Sequence, residues 1–83
     1  MLTMSKFLWI DNSVRVCVRY TYDDGYGKIS GIQGRWIDDY RGTASSGSIQ
    51  QCYIESGGKS IFVKVNFYRS DYGWVTKSGR IYG

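Results

Sequence analysis

The sequence predicts an all-β chain, an antiparallel sandwich or half-open barrel of about five to six short strands. Two stretches alternate apolar and polar residues with a period of two, and turn-forming Gly, Asp, Asn and Ser recur about every ten residues. No stretch carries a 3.6-residue apolar pattern, the 11 glycines would break any long helix, and the best helix former appears only as Ala44.

The first strand is read over Lys6 to Ile10 and ends at Asp11-Asn12-Ser13, whose short polar side chains bond their own backbone in turns. Nothing in Met1 to Thr3 demands structure, and Met4 serves equally well as a start. Val14 to Tyr22 is the clearest strand. Val14, Val16, Val18, Tyr20 and Tyr22 share one face, and Arg15, Cys17, Arg19 and Thr21 the other. Asp24-Gly25 within Asp23 to Gly27 signals a tight hairpin turn. The return strand, Lys28 to Asp38, is interrupted by Gly31 and Gly34, which predicts a bulge or a close backbone approach.

Asp39 to Ser48 is the longest polar stretch and reads as an exposed loop between two halves of the fold. Loops of that length in compact domains are often functional. Ile49 to Glu55 and Ser60 to Tyr68 form a second hairpin around Ser56 to Lys59, with Ile61, Val63, Val65 and Phe67 on one face and Phe62, Lys64, Asn66 and Tyr68 on the other. Trp74 to Thr76 and Arg80 to Tyr82 read as two brief strands around Lys77-Ser78-Gly79.

With 83 residues and no Pro-rich or low-complexity tract, residues 1–83 read as one domain. A chain of this size buries only about 60 to 65 per cent of its unfolded surface. Large rings help to close so thin an interior, so Trp9, Trp36 and Trp74 are expected in the core. Eleven Lys and Arg against seven acids give a net charge of +4, spread singly along the chain. That charge permits an anionic partner without specifying one.

Phe7 to Ile10 is too short an apolar run for a secretory leader or a membrane span, so a cytoplasmic protein without a membrane partner is expected. In that compartment Cys17 and Cys52 should be thiols packed as small core residues rather than a disulfide.

The inventory argues against catalysis. There is no His for acid–base work or to activate a cysteine. Asp11, Asp23, Asp24 and Asp71 sit in turn contexts, and Asp38-Asp39 would point to opposite faces of a strand. No CxxC, no EF-hand spacing and no phosphate-binding GxxxxGK[ST] occur, so neither a metal nor a cofactor is expected.

Surface chemistry remains. Arg15 and Arg19 project from one strand and Phe62, Lys64 and Tyr68 from another; if the two strands share a sheet, cations and flat rings form a single platform. Tyr40 and Arg41 in the polar stretch and Tyr72 in the Arg69 to Gly73 turn are further contact candidates, because a ring in a turn has little core to enter. The expected function is a small non-enzymatic protein-binding module. It would act as an inhibitor or effector, for example a mobile-element inhibitor of a host defence enzyme, by occupying a larger protein's functional surface. A nucleic-acid-binding β domain using the basic and aromatic platform is the alternative, and a secreted β-rich toxin or carbohydrate binder a further one. Both a monomer and an edge-paired homodimer fit such a chain.

Overall fold

The computed structural model describes residues 1–83 and contains no helix. Its strands are β1 (Leu2–Ile10), β2 (Val14–Asp23), β3 (Lys28–Tyr40), β4 (Ala44–Ile54), β5 (Ser60–Arg69) and β6 (Gly73–Tyr82). They form two antiparallel three-stranded meanders, β1-β2-β3 and β4-β5-β6. No ladder joins the two, so of the two expected architectures the chain adopts the sandwich.

The inner faces are those that alternation marks. Val14, Val16, Val18 and Tyr20 of β2 are fully buried and belong to the same cluster as the equally buried Ile61, Val63, Val65 and Phe67 of β5. The central strand of each sheet thus supplies most of the interior, and β-branched residues suit the narrow gap between two packed sheets. The outer strands add Ile10, Ile29, Ala44, Cys52 and Ile81.

The strands are 9 to 13 residues long rather than short. Leu2 and Thr3 pair with Tyr22 and Thr21, so the chain is structured almost from its first residue. The expected loop over Asp39 to Ser48 shrinks to Arg41, Gly42 and Thr43; its remainder completes β3 and begins β4. Lys77-Ser78-Gly79 continues β6 instead of dividing it. The molecule is accordingly a slab of 46 × 20 × 16 Å with much outer surface for little core.

Both sheets have two open edges, which invite unwanted pairing unless blunted. Lys6 on β1 and Arg35 on β3 both lie opposite Val18, and Lys77 on β6 lies opposite Val65, so three edge strands carry a cation on the inward-facing side. Lys6 Nζ donates to the Tyr82 carbonyl at 2.7 Å and Arg35 Nη1 to the Cys52 carbonyl at 3.3 Å, each spanning the seam between the sheets. The fourth edge strand, β4, is broken by register shifts at Ser45/Ser48 and Ile49/Gln51. Three further shifts between β2 and β3 provide the irregularity that Gly31 and Gly34 predict.

One buried polar atom has no partner, the Tyr20 hydroxyl. An orphaned buried donor forfeits its hydration without compensation. Tyr20→Phe is therefore expected to leave stability unchanged or raise it by up to about 1 kcal/mol. A denaturant titration showing a loss larger than that would mean that the hydroxyl has a partner after all.

Candidate contact face

The outer face of the first sheet is set by register. Phe7, Cys17 and Trp36 form one row across β1, β2 and β3; Trp9, Arg15 and Asp39 form the next; Ser5, Arg19 and Gly34 a third. Phe7 is 61% and Trp36 45% exposed, on either side of the partly buried Cys17. Arg15 lies over the rings of Phe7 and Trp9, with its guanidinium carbon 5.2 and 5.8 Å from their centroids. Its planar fork is held by Asp38, with Nε to Oδ1 at 2.7 Å and Nη2 to Oδ2 at 2.8 Å. Arg41 covers Trp9 more closely, at 4.1 Å, and donates to Asn12 Oδ1. Two arginines and two β1 rings thus interlock in a fixed arrangement. Arg19 stands beside them in no ion pair, above Gly34, where a Cβ would sit 3.4 Å from the Trp36 ring.

The expected platform does not assemble. β2 and β5 lie in different sheets and pack through their valine faces, so Arg15 and Arg19 emerge on one side of the slab and Phe62, Lys64 and Tyr68 on the other. Arg41 does join Arg15, through Trp9. Tyr40 instead closes the β3–β4 turn, its hydroxyl accepting the Gly47 N–H at 2.7 Å. Tyr72, 76% exposed, lies at the β5–β6 turn with Trp74.

The three tryptophans are not core residues: Trp36 and Trp74 are exposed and Trp9 is half-buried. The interior is lined instead by β-branched side chains, with one Tyr and one Phe. Strand parity is the signal that finds Trp9, since Leu8 and Ile10 must both face inward if Val14 and Val16 opposite them do. Phe7 follows from the same parity.

Cys17 and Cys52 are free thiols, and only Cys52 is a core residue. The Cys17 thiol donates to Asp38 Oδ2 at 3.0 Å. Burial, reinforced by the Asp38 carboxylate, pushes the thiol up to about 11, so at neutral pH it is a protonated donor rather than a nucleophile. Asp38 is itself held below the usual carboxylate range by Arg15 and then by Cys17. Asp38→Asn removes the anion that opposes ionisation, so the Cys17 pKa should fall. Alkylation by iodoacetamide near pH 8 should accelerate about tenfold for each pKa unit recovered. An unchanged rate in the variant would show that Asp38 does not govern the thiol.

Three further acids are engaged within the fold. Asp23 Oδ1 accepts from the backbone N–H groups of Gly25 and Tyr26, Asp71 from Thr43 and Arg69, and Glu55 from Ser60 and Arg80. Glu55, unpaired in the linear sequence, is thus a structural anchor across the second sheet. No helix is long and apolar enough to cross a membrane. Comparison with protein-family models, curated proteins and solved structures yields no match, so the reading of function rests on this chain's own residues.

Proposed function

We propose that the chain is a non-enzymatic protein-binding module, an inhibitor or effector that occupies a functional surface of a larger protein through the outer face of its first sheet. The observation that carries this reading is the exposure of Phe7 and Trp36 on a rigid sheet beside a preoriented Arg15. Aromatic and Arg side chains dominate measured interface energetics, and fixed rotamers lower the entropy lost on binding. The inward cations and bulges on the edge strands favour contact through the faces over edge pairing, and so favour a monomer.

Nucleic acid is the weaker reading because the cations are either engaged or dispersed, with the unpaired Arg19 and Lys64 on opposite faces. Arg15, Arg69 and Arg80 are each paired with a carboxylate, and Arg41 is turned onto Trp9 and Asn12. Phosphate contacts need charges that are free to release counterions. The test is capture of host protein by tagged chain after nuclease treatment and at two salt concentrations, run beside the double variant Phe7→Ala/Trp36→Ala and the opposite-face variant Tyr53→Ala. A protein retained by wild type and by Tyr53→Ala but lost from the double variant is the expected result. Capture that ignores the double variant, or that vanishes with nuclease, would remove the proposal.

A further inference from the structure

We infer that the outer face of the second sheet is a separate binding site for a neutral oligosaccharide chain. Four rows cross β4, β5 and β6 on this side: Tyr53–Phe62–Arg80, Gln51–Lys64–Ser78, Ser48–Asn66–Thr76 and Ser45–Tyr68–Trp74. Aromatic pairs close both ends, although Arg80 lies over the Phe62 ring at 5.4 Å and leaves Tyr53 as the exposed ring of that pair. Tyr53 and Phe62 stand 5.2 Å apart between centroids with their planes tilted by 39°, and Tyr68 and Trp74 stand 5.5 Å apart, edge to face. Phe62 and Tyr68 are six residues apart on one strand, so the two pairs are separated by roughly 20 Å, the span of a few sugar rings. At the Trp74 end a cleft of about 450 Å³ runs along the β6 edge, lined by Arg69, Tyr72, Trp74, Val75, Thr76 and Lys77.

Between the pairs lie amides and hydroxyls, with the Lys64 ammonium between Gln51 and Ser78. The side chains of Ser48, Gln51 and Ser78 bond nothing within the protein, whereas Asn66 commits its Nδ2 to the Val75 carbonyl and Thr76 Oγ1 and keeps Oδ1 free as an acceptor. A sugar ring has an apolar C–H face, which stacks on an aromatic ring, and a rim of hydroxyls, which exchange hydrogen bonds with such groups. Rings at intervals, with donors and acceptors between them that are uncharged apart from Lys64, match that pattern.

Charge separates this ligand from the alternatives. Glu55 neutralises Arg80 at 2.8 Å, and Asp71 neutralises Arg69 at 2.9 Å. Lys64 on the face and Lys77 beside the cleft are the free cations, too few to follow the regularly spaced phosphates of a single strand over that length. A protein partner would favour a dry apolar centre with a polar rim, and this face has the reverse arrangement.

The experiment is electrophoresis of the full chain through native gels containing xylan, glucomannan, galactomannan, laminarin or hydroxyethylcellulose, with heparin and oligo-dT as charged arms. At least one neutral polysaccharide should retard the chain, and the retardation should persist at high salt. Affinity should fall by about tenfold or more in Trp74→Ala and in Gln51→Ala, two exposed positions, while Phe7→Ala on the opposite sheet binds as wild type. Because the protein contact is tested on the first sheet and the oligosaccharide on the second, the two proposals fail independently. No retardation by any neutral polymer, retardation that survives both second-sheet variants, or binding confined to heparin or oligo-dT and abolished by salt would each overturn the inference.

Discussion

Phe67→Ala is expected to leave the chain unfolded or to lower its melting temperature by at least about 15 °C. Phe67 on β5 is fully buried, is the only Phe in the interior, and lies opposite Val75 of β6. On the neighbouring strand of the same sheet, Gly47 of β4 leaves room for it, since an added Cβ there would stand 3.3 Å from the Phe67 Cβ. Truncation of a buried Phe typically costs about 3 to 5 kcal/mol, because the transfer free energy of the ring is lost and a cavity is left behind. A chain of this length has a total stability on the order of 4 to 12 kcal/mol. The slab has 13 core residues and no alternative layer that could collapse into the gap, so the loss is a large fraction of what holds it. Phe67→Leu, which retains most of the volume, should fold and melt a few degrees below wild type. Thermal melts followed by far-ultraviolet circular dichroism decide the matter. A Phe67→Ala protein melting within about 5 °C of wild type would show that the interior tolerates the cavity and that the ring does not organise the second sheet.

The legibility of the fold follows the same division between centre and edge. β2 and β5 are read almost to the residue because each has one dry face, which forces strict alternation on the sequence. The four edge strands have no such constraint along their whole length. Ala44 to Ser48 is strand, yet it has the Gly and Ser content of a loop, because β4 is bulged there and Ser46 adopts a φ of 55°. Lys77-Ser78-Gly79 reads as a turn for a related reason. Its glycine leaves room for the facing sheet, since a Cβ at Gly79 would lie 2.8 Å from Leu8 Cδ2, which would have to turn aside.

Of the candidate contact face, the sequence points to the arginines but not to Phe7 or Trp36, nor to how the residues assemble. Arg15, Arg19 and Arg41 are nameable from strand parity and turn context, and two of them do meet around Trp9. Joining Arg15 and Arg19 to Phe62 and Lys64 required knowing whether β2 and β5 share a sheet, and period-two patterns carry no information about which strands are neighbours. The tryptophans fail for an energetic reason. The expectation that a small domain buries its largest rings assumes a core wide enough to hold them, whereas two three-stranded sheets close over Val and Ile and leave the indoles to the outer faces.

Gly58→Ala is expected to destabilise the chain by at least about 2 kcal/mol, clearly more than the same change at Gly57 or Gly42. All three glycines have positive φ, at 68°, 87° and 65°, so each substitution incurs the left-handed cost of roughly 1 to 2 kcal/mol. Their surroundings differ. A Cβ at Gly57 would find only Lys59 Cγ at 3.9 Å, and one at Gly42 would find nothing within 4 Å. At Gly58 it would lie 2.7 Å from Lys28 Cβ and 3.0 Å from the Ile29 carbonyl oxygen, and a backbone cannot rotate aside as a side chain can. The turn must therefore move away from β3. That movement strains the bond from the Ile29 N–H to the Gly58 carbonyl, 2.8 Å long, which links the β4–β5 turn to the start of β3 in the opposite sheet. It also uncovers Ile29, one of the core residues at this end of the slab. Loss of one hydrogen bond and of part of that packing adds about 1 kcal/mol or more to the conformational cost. Chemical denaturation of the three alanine variants side by side is the measurement. If Gly58→Ala is no worse than its neighbour, the turn is free to swing and the sheets are held at this end by the core alone; if it is the worst of the three, closure of the sandwich depends on a backbone contact that only glycine permits.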